Sequence, residues 1–258
     1  MKRFKTFSGK VDFLVPYPAI FVKEISSICI ADLHLGFEGS VASDYGAFVP
    51  KIQFEKILND VKELIKMRKE AKKIIINGDI KNKFSRADLH EFIEISNFLQ
   101  FLSENFEEII VVKGNHDNYI ENITKKFEKV KVCKIYEEKD YVFLHGDKDM
   151  DLARLKGKVL ILAHEHPSIA FYNKVGTKEK IPCFLYGEDK NKKIKIVLLP
   201  AFSCLFPGTE INIVPKEALL SPILRKVDID KFRVLAVDRE LNMTFDLPEL
   251  EKLRVQER

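Results

Sequence analysis

Short runs of aliphatic and aromatic residues punctuate the chain: SSICIAD (26–32), KKIIING (72–78), EEIIVVKG (107–114), YVFLHG (141–146) and KVLILAH (158–164). Most are apolar without alternation, which suits β-strands covered on both faces, as in an α/β sandwich. Between the first three lie two segments of helical period. In 51–70, Phe54, Ile57, Leu58, Val61, Leu64 and Ile65 recur at spacings of three and four. In 85–102, Leu89, Phe92, Ile93, Phe98, Leu99 and Leu102 do the same. Each predicts an amphipathic helix with one stripe toward a core. Ser85, with Asp88 three residues on, is the expected N-terminal cap of the second helix, because a side-chain oxygen there accepts an orphan backbone N–H.

The order is therefore β-α-β-α-β, followed by a part in which 193–200, 210–214, 231–237 and 242–247 read as strands. No internal repeat, low-complexity tract or linker interrupts the pattern. Residues 1–258 are read as one domain, with a motif-bearing part at 27–167 and a strand-rich part at 168–258. A chain of this length buries a sizeable core.

Composition adds little to that picture. It is 46% hydrophobic and 32% charged, as in globular proteins, and the net charge of +4 permits an anionic ligand without pointing to one. Cys29, Cys133, Cys183 and Cys204 are scattered and form no C-x-x-C pair, which argues against a disulfide framework and a cysteine zinc site. The basic and then apolar N-terminus is interrupted by Asp12, Pro16 and Pro18, so it makes a poor signal segment. The cytoplasm is the expected location, and no membrane partner is expected.

The chemistry lies at the ends of the five apolar runs. The first delivers Asp32 and His34, the second Asp79, the third Asn115, His116 and Asp117, the fourth His145, and the fifth His164 and His166. Ligand sites in open α/β sheets form at the carboxyl ends of strands. In extended backbone, residues two apart share a side, so Asp32 with His34, and His164 with His166, are expected to aim together. Gly78 and Gly114 permit the sharp turn that follows. Five of the six histidines fall in these segments. Imidazole, carboxylate and amide together suit divalent metals. The supply exceeds one tetrahedral shell, so two ions are expected, with Asp79 as the anionic bridge. Ions roughly 3.5–4 Å apart can hold a hydroxide between them and clamp a phosphoryl group for in-line displacement.

On these residues the chain resembles the calcineurin-like metallophosphoesterases. Their pattern D-x-H, G-D, G-N-H-D/E, H and G-H-x-H matches Asp32 and His34, Gly78-Asp79, Gly114-Asn115-His116-Asp117, His145, and Ala163-His164-x-His166. ADLHLG (31–36) and LPAF (199–202) are similar to compact archaeal and bacterial relatives of SbcD-type DNA-repair nucleases. The resemblance implies a four-layer αββα sandwich of two mixed β-sheets flanked by helices. It implies one metal on Asp32, His34, Asp79 and His166, and a second on Asp79, Asn115, His145 and His164. Manganese is the first expectation, with iron, zinc or nickel as alternatives. His116 would contact the phosphate and serve the leaving oxygen, and Asp117 would accept a hydrogen bond from His116. The implied activity is hydrolysis of a phosphodiester by a metal-bridging hydroxide, with nucleotides and nucleic acid among the substrates. The alternatives are a phosphomonoesterase or phosphoprotein phosphatase, and a non-catalytic scaffold. A homodimer is left open. The chain departs from the pattern at Asn82, where many relatives have aspartate, and at Ala163 in place of glycine.

Other polar residues receive plainer readings. His90 is expected on the surface, Asp147 as the cap of a helix starting near Asp149, and Glu165 in solvent. The lysine-rich stretches 69–73, 124–134 and 189–195 read as solvated ends and hairpin tips. The loop 199–212 either walls the site with Phe202 or Phe206 or packs into the core.

Overall fold

The apolar runs do form strands, and they divide between two sheets. The computed structural model describes residues 5–46, 50–172, 176–206 and 208–254. The first sheet holds, in spatial as well as chain order, β1 (Thr6–Phe7), β2 (Val11–Phe13), β3 (Ile20–Val22), β4 (Ser27–Ile30), β5 (Lys73–Asn77), β6 (Glu108–Val112) and β7 (Val130–Cys133). Strands β1 to β4 pair antiparallel and β4 to β7 parallel. The parallel crossovers carry α1 (Phe37–Tyr45) and α2 (Gln53–Met67) between β4 and β5, and α3 (Leu89–Asn105) between β5 and β6. Register pairs Ile30 with Ile76 and Ile76 with Val111, so the three central strands end level at one rim.

The second sheet comprises β8 (Tyr136–Glu138), β9 (Tyr141–Phe143), β10 (Val159–Leu162), β11 (Pro167–Tyr172), β12 (Lys178–Asp189), β13 (Ile194–Leu198), β14 (Thr209–Glu210), β15 (Arg233–Asp238) and β16 (Met243–Glu249). It is also mixed: β9, β10 and β13 run parallel, and β12 and β15 run antiparallel to their neighbours. The expected strand at 210–214 is shorter than read. Only Glu210 of it is in β14, because the amides of Ile213 and Val214 turn back to the Glu210 carbonyl.

Three apolar layers hold this together. Phe13, Ile75, Ile110 and Val112 of the first sheet meet Phe143, Ile161, Phe184 and Val197 of the second. The outer face of the first sheet packs on Ile57, Val61 and Leu64 of α2 and on Ile95, Phe98 and Leu102 of α3. The outer face of the second is covered by short 3-10 helices at Leu152–Leu155, Leu224–Lys226 and Ile229–Lys231. The architecture is thus the expected pair of mixed sheets between helical layers, the fourth layer being built of 3-10 turns.

Two local expectations change. Asp88, not Ser85, caps α3, its carboxylate accepting the Glu91 N–H at 2.9 Å. The stripe on α3 is also rotated: Glu91, Ile95, Phe98 and Leu102 face inward, leaving Leu89 73% and Ile93 45% exposed. The cause is Glu91, which turns inward to accept the backbone N–H groups of Asn82 and Lys83. Nor does a helix begin near Asp149. The next turn starts at Leu152, and its cap is Asp151, accepting from the Ala153 N–H, rather than Asp147.

Candidate metal centre

Each residue singled out at a strand end lies at the rim where the two sheets meet. The backbone reaches it in an unexpected way. Asp32, His34, Asp79, His164 and His166 all have left-handed φ, from 47° to 71°. A side chain other than glycine pays for that conformation. The extended spacing expected of Asp32 with His34, and of His164 with His166, is therefore not what aims them. Beyond its strand, the backbone after β4 stays bonded to that after β5: Leu33 and His34 N–H donate to the Asp79 carbonyl, and Leu35 N–H to that of Ile80. The glycines clear space. A Cβ on Gly78 would lie 2.1 Å from His145 Nδ1, and one on Gly114 would lie 2.1 Å from Asp79 Oδ1.

The side chains converge in three overlapping groups, each with one donor atom per residue within 4.8 Å of the others: Asp32–His34–His166, His34–Asp79–His116 and Asp79–His145–His164. His166 Nε2 lies 3.2 Å from Asp32 Oδ1, and His34 Nε2 faces His166 Nε2 at 3.4 Å. On the other side, His145 Nε2 is 3.1 Å from Asp79 Oδ2 and 3.3 Å from Asn115 Oδ1. His145 Nδ1–H donates to the Asn77 carbonyl at 3.0 Å, which fixes the ring with Nε2 toward the centre. His34, His166 and Asp32 thus bring two imidazoles and a carboxylate to one point, and Asp79, His145 and His164 do the same beside it, so the donor set fits divalent metal.

Electrostatics agree. Burial drives the His34 imidazole down to about 3, against the pull of Asp79 and Asp32, so it is neutral and able to ligate. Burial, with the neighbouring His145 charge, also lowers His164. Burial opposes protonation of His145 too, but Asp79 and Asp32 outweigh it and raise the imidazole to about 10. His166 is raised in the same way, burial being overcome by Asp32. Both carboxylates are held below their usual range in spite of burial, Asp79 by His145 and Asp32 by His166. The two carboxylates thus favour positive charge on His145 and His166. Divalent cations can take over that positive charge.

His116 lies at the edge of this cluster, its Nε2 4.0 Å from Asp79 Oδ2. The expected hydrogen bond to Asp117 is not formed. His116 Nδ1 meets the Asn82 carbonyl, while buried Asp117 accepts the N–H groups of Asp79 (2.8 Å), Gly114 (2.9 Å) and Lys81 (3.3 Å). Burial and the Asp79 charge push the Asp117 carboxyl up to about 6. Asp117 thus braces the loops that carry Asp79 and Asn115. Glu165 is buried, not solvated: its carboxylate accepts the Leu220 and Ser221 N–H groups. His90 is exposed, as expected. Within the 199–212 loop both readings occur, one per residue. Phe202 is core, whereas Phe206 stacks on His34 with centroids 4.1 Å apart. A cavity of about 480 Å³ opens over His34, Asp79, Asn115, His116, His164 and His166. The residues that sequence reasoning missed are Phe84, stacked on His116, and Glu91 behind it. An inward glutamate among the apolar positions of α3 was the only available signal.

The sequence model of the calcineurin-like phosphoesterases matches residues 26–199, which contain all the clustered histidines, Asp32, Asp79 and Asn115. The chain belongs to that family. A calcineurin-like phosphoesterase is a hydrolase, and the clustered ligands make this one metal-dependent. The crystal structure of the nuclease MPE from Pseudomonas putida shares the fold: TM-score 0.62 and 18% identity, over 91% of this chain and 96% of that one. The YfcE phosphoesterase of E. coli aligns at TM-score 0.37 and 13% identity, over 83% of this chain and 88% of that one. No curated protein matches significantly in sequence. Among the described residues no helix is long and apolar enough to cross a membrane.

Proposed function

We propose that this phosphoesterase binds two divalent cations and hydrolyses phosphodiesters, nucleotide or nucleic-acid diesters among them. The observation that carries the reading is Asp79: its carboxylate belongs both to the group with His34 and to the group with His145 and His164. One ion would be held by Asp32, His34, Asp79 and His166, the other by Asp79, Asn115, His145 and His164. When bound, the cations supply an activated water and the charge that draws in the phosphoryl oxygens. Manganese is the first choice, with iron, zinc or nickel also suited to imidazole and carboxylate.

The chain's own residues do the rest. Asp79, common to both groups, would serve both cations. His116, with Nδ1 turned to the Asn82 carbonyl, presents Nε2 to the cleft, where it can give a proton to the leaving oxygen. Phe206 closes the His34 side against bulk water. A diester is favoured over a monoester by space. A second cavity of about 820 Å³, lined by both basic residues such as Lys113 and Arg154 and acidic ones such as Asp147 and Asp151, opens beside the centre and includes Gly114 and Asn115. It leaves room for a second esterified group. The Pseudomonas putida relative is described as a nuclease, in keeping with this substrate class. Manganese-loaded protein assayed on a generic diester and a generic monoester, with metal analysis of the same sample, is expected to bind two ions and turn over the diester faster. A faster monoester rate reverses the preference. No turnover with both ions bound leaves the scaffold reading.

A further inference from the structure

Phe84 is a large apolar side chain, 58% exposed, and it is not loosely held. Its ring stacks on His116 with centroids 3.8 Å apart and planes 29° apart. The loop that presents it is built with buried charge. Lys81, 1% exposed, sends Nζ to the Ser85 carbonyl at 2.8 Å. Glu91, fully buried, accepts Asn82 N–H at 2.6 Å and Lys83 N–H at 2.8 Å. Asn118 Nδ2 ties the Phe84 carbonyl (3.1 Å) to that of Asn115 (3.2 Å). Burying a lysine and a glutamate costs free energy, and here their hydrogen bonds fix the backbone on both sides of Phe84. The same loop supplies the carbonyl that orients His116.

We propose that Phe84 is a subsite for the planar base of the leaving nucleoside. This rests on the phosphodiesterase reading above and names the substrate class at that centre. One face of the ring covers His116, which serves the leaving oxygen, and the ring is more than half exposed, so it lies within reach of the group attached to that oxygen. Phe206, the other aromatic wall, stands on the His34 side instead. A base has a π-face whatever its identity, so stacking gives preference for nucleosides without sequence readout, worth roughly tenfold in affinity per base.

The test uses manganese-loaded full-length protein and three diesters: the dinucleotide TpT and two analogues with one or the other base replaced by hydrogen. Product analysis identifies the leaving nucleoside. Removing its base is expected to lower kcat/KM about tenfold in the unaltered protein, with no comparable loss for the other base. Phe84→Tyr should keep that ratio. Phe84→Leu, which still covers His116 with an apolar group, should bring it close to one. The subsite is overturned if the ratio survives in Phe84→Leu, if the unaltered protein shows none, or if Phe84→Leu slows all three diesters equally. Failure of folded, metal-loaded protein to cleave any of the three sinks the diester reading itself, and the subsite with it.

Discussion

His116 and Asp79 touch the same space and should fail differently. His116→Ala removes no proposed ligand, so both ions should remain while turnover falls by roughly 10²–10⁴-fold, the scale of lost general acid help. Asp79→Asn should lose metal and nearly all turnover together. Elemental analysis beside the rate measurement separates the two; an emptied metal position in His116→Ala would refute the division. Gly114→Ala offers a steric probe, since Gly114 is not among the left-handed residues and the atoms nearest the added methyl belong to Asp79. Metal loss with an unchanged circular dichroism spectrum is expected. Proton counting tests the electrostatics. Because His145 is raised to about 10, it holds a proton at neutral pH that a cation must displace, and His166 is shifted in the same direction. Metal affinity should therefore increase as pH rises toward 10. Calorimetry in buffers of different ionisation enthalpy should show proton release on loading; zero release would contradict the imidazolium picture.

At the scale of elements, the polar ends of β4, β5, β6, β9 and β10 were legible because run and ligand sit side by side in the chain. What could not be read is whatever partners across distance. The left-handed backbone at Asp32 and His34 is imposed by pairing with the segment after Asp79, more than forty positions away. Glu165 looked solvated because its partners, the amides of Leu220 and Ser221, lie 55 and 56 residues on. The rotated face of α3 has the same origin: Glu91 is paid in hydrogen bonds by a loop that carries no periodic signal. Asn82 departs from the family pattern in its side chain, yet its contribution to the site is a backbone carbonyl, which that substitution leaves intact. Asp117 bonds the amides of Asp79, Lys81 and Gly114 in place of His116, since a four-residue motif says nothing of which amides it will fold over.

The whole molecule depends on the apolar seam between its sheets. Phe184 is fully buried there, with Phe13 edge-on at 4.9 Å. Phe184→Ala should cost about 3–5 kcal/mol, measured by denaturant unfolding of the metal-free protein, through lost burial and the cavity left behind. A cost under about 1 kcal/mol would mean the seam collapses around the gap. The sheets are also consecutive in the chain: the first ends at Cys133 and the second begins at Tyr136. Asp32, His34, Asp79 and Asn115 come from the earlier half, and His145, His164 and His166 from the later one. If the proposed ligand set is right, a nascent chain halted near residue 134 would carry only part of it, and cation capture would follow release of the remainder. A purified 1–134 fragment should accordingly fail to retain manganese through gel filtration, and retention would show that the first half closes a shell by itself.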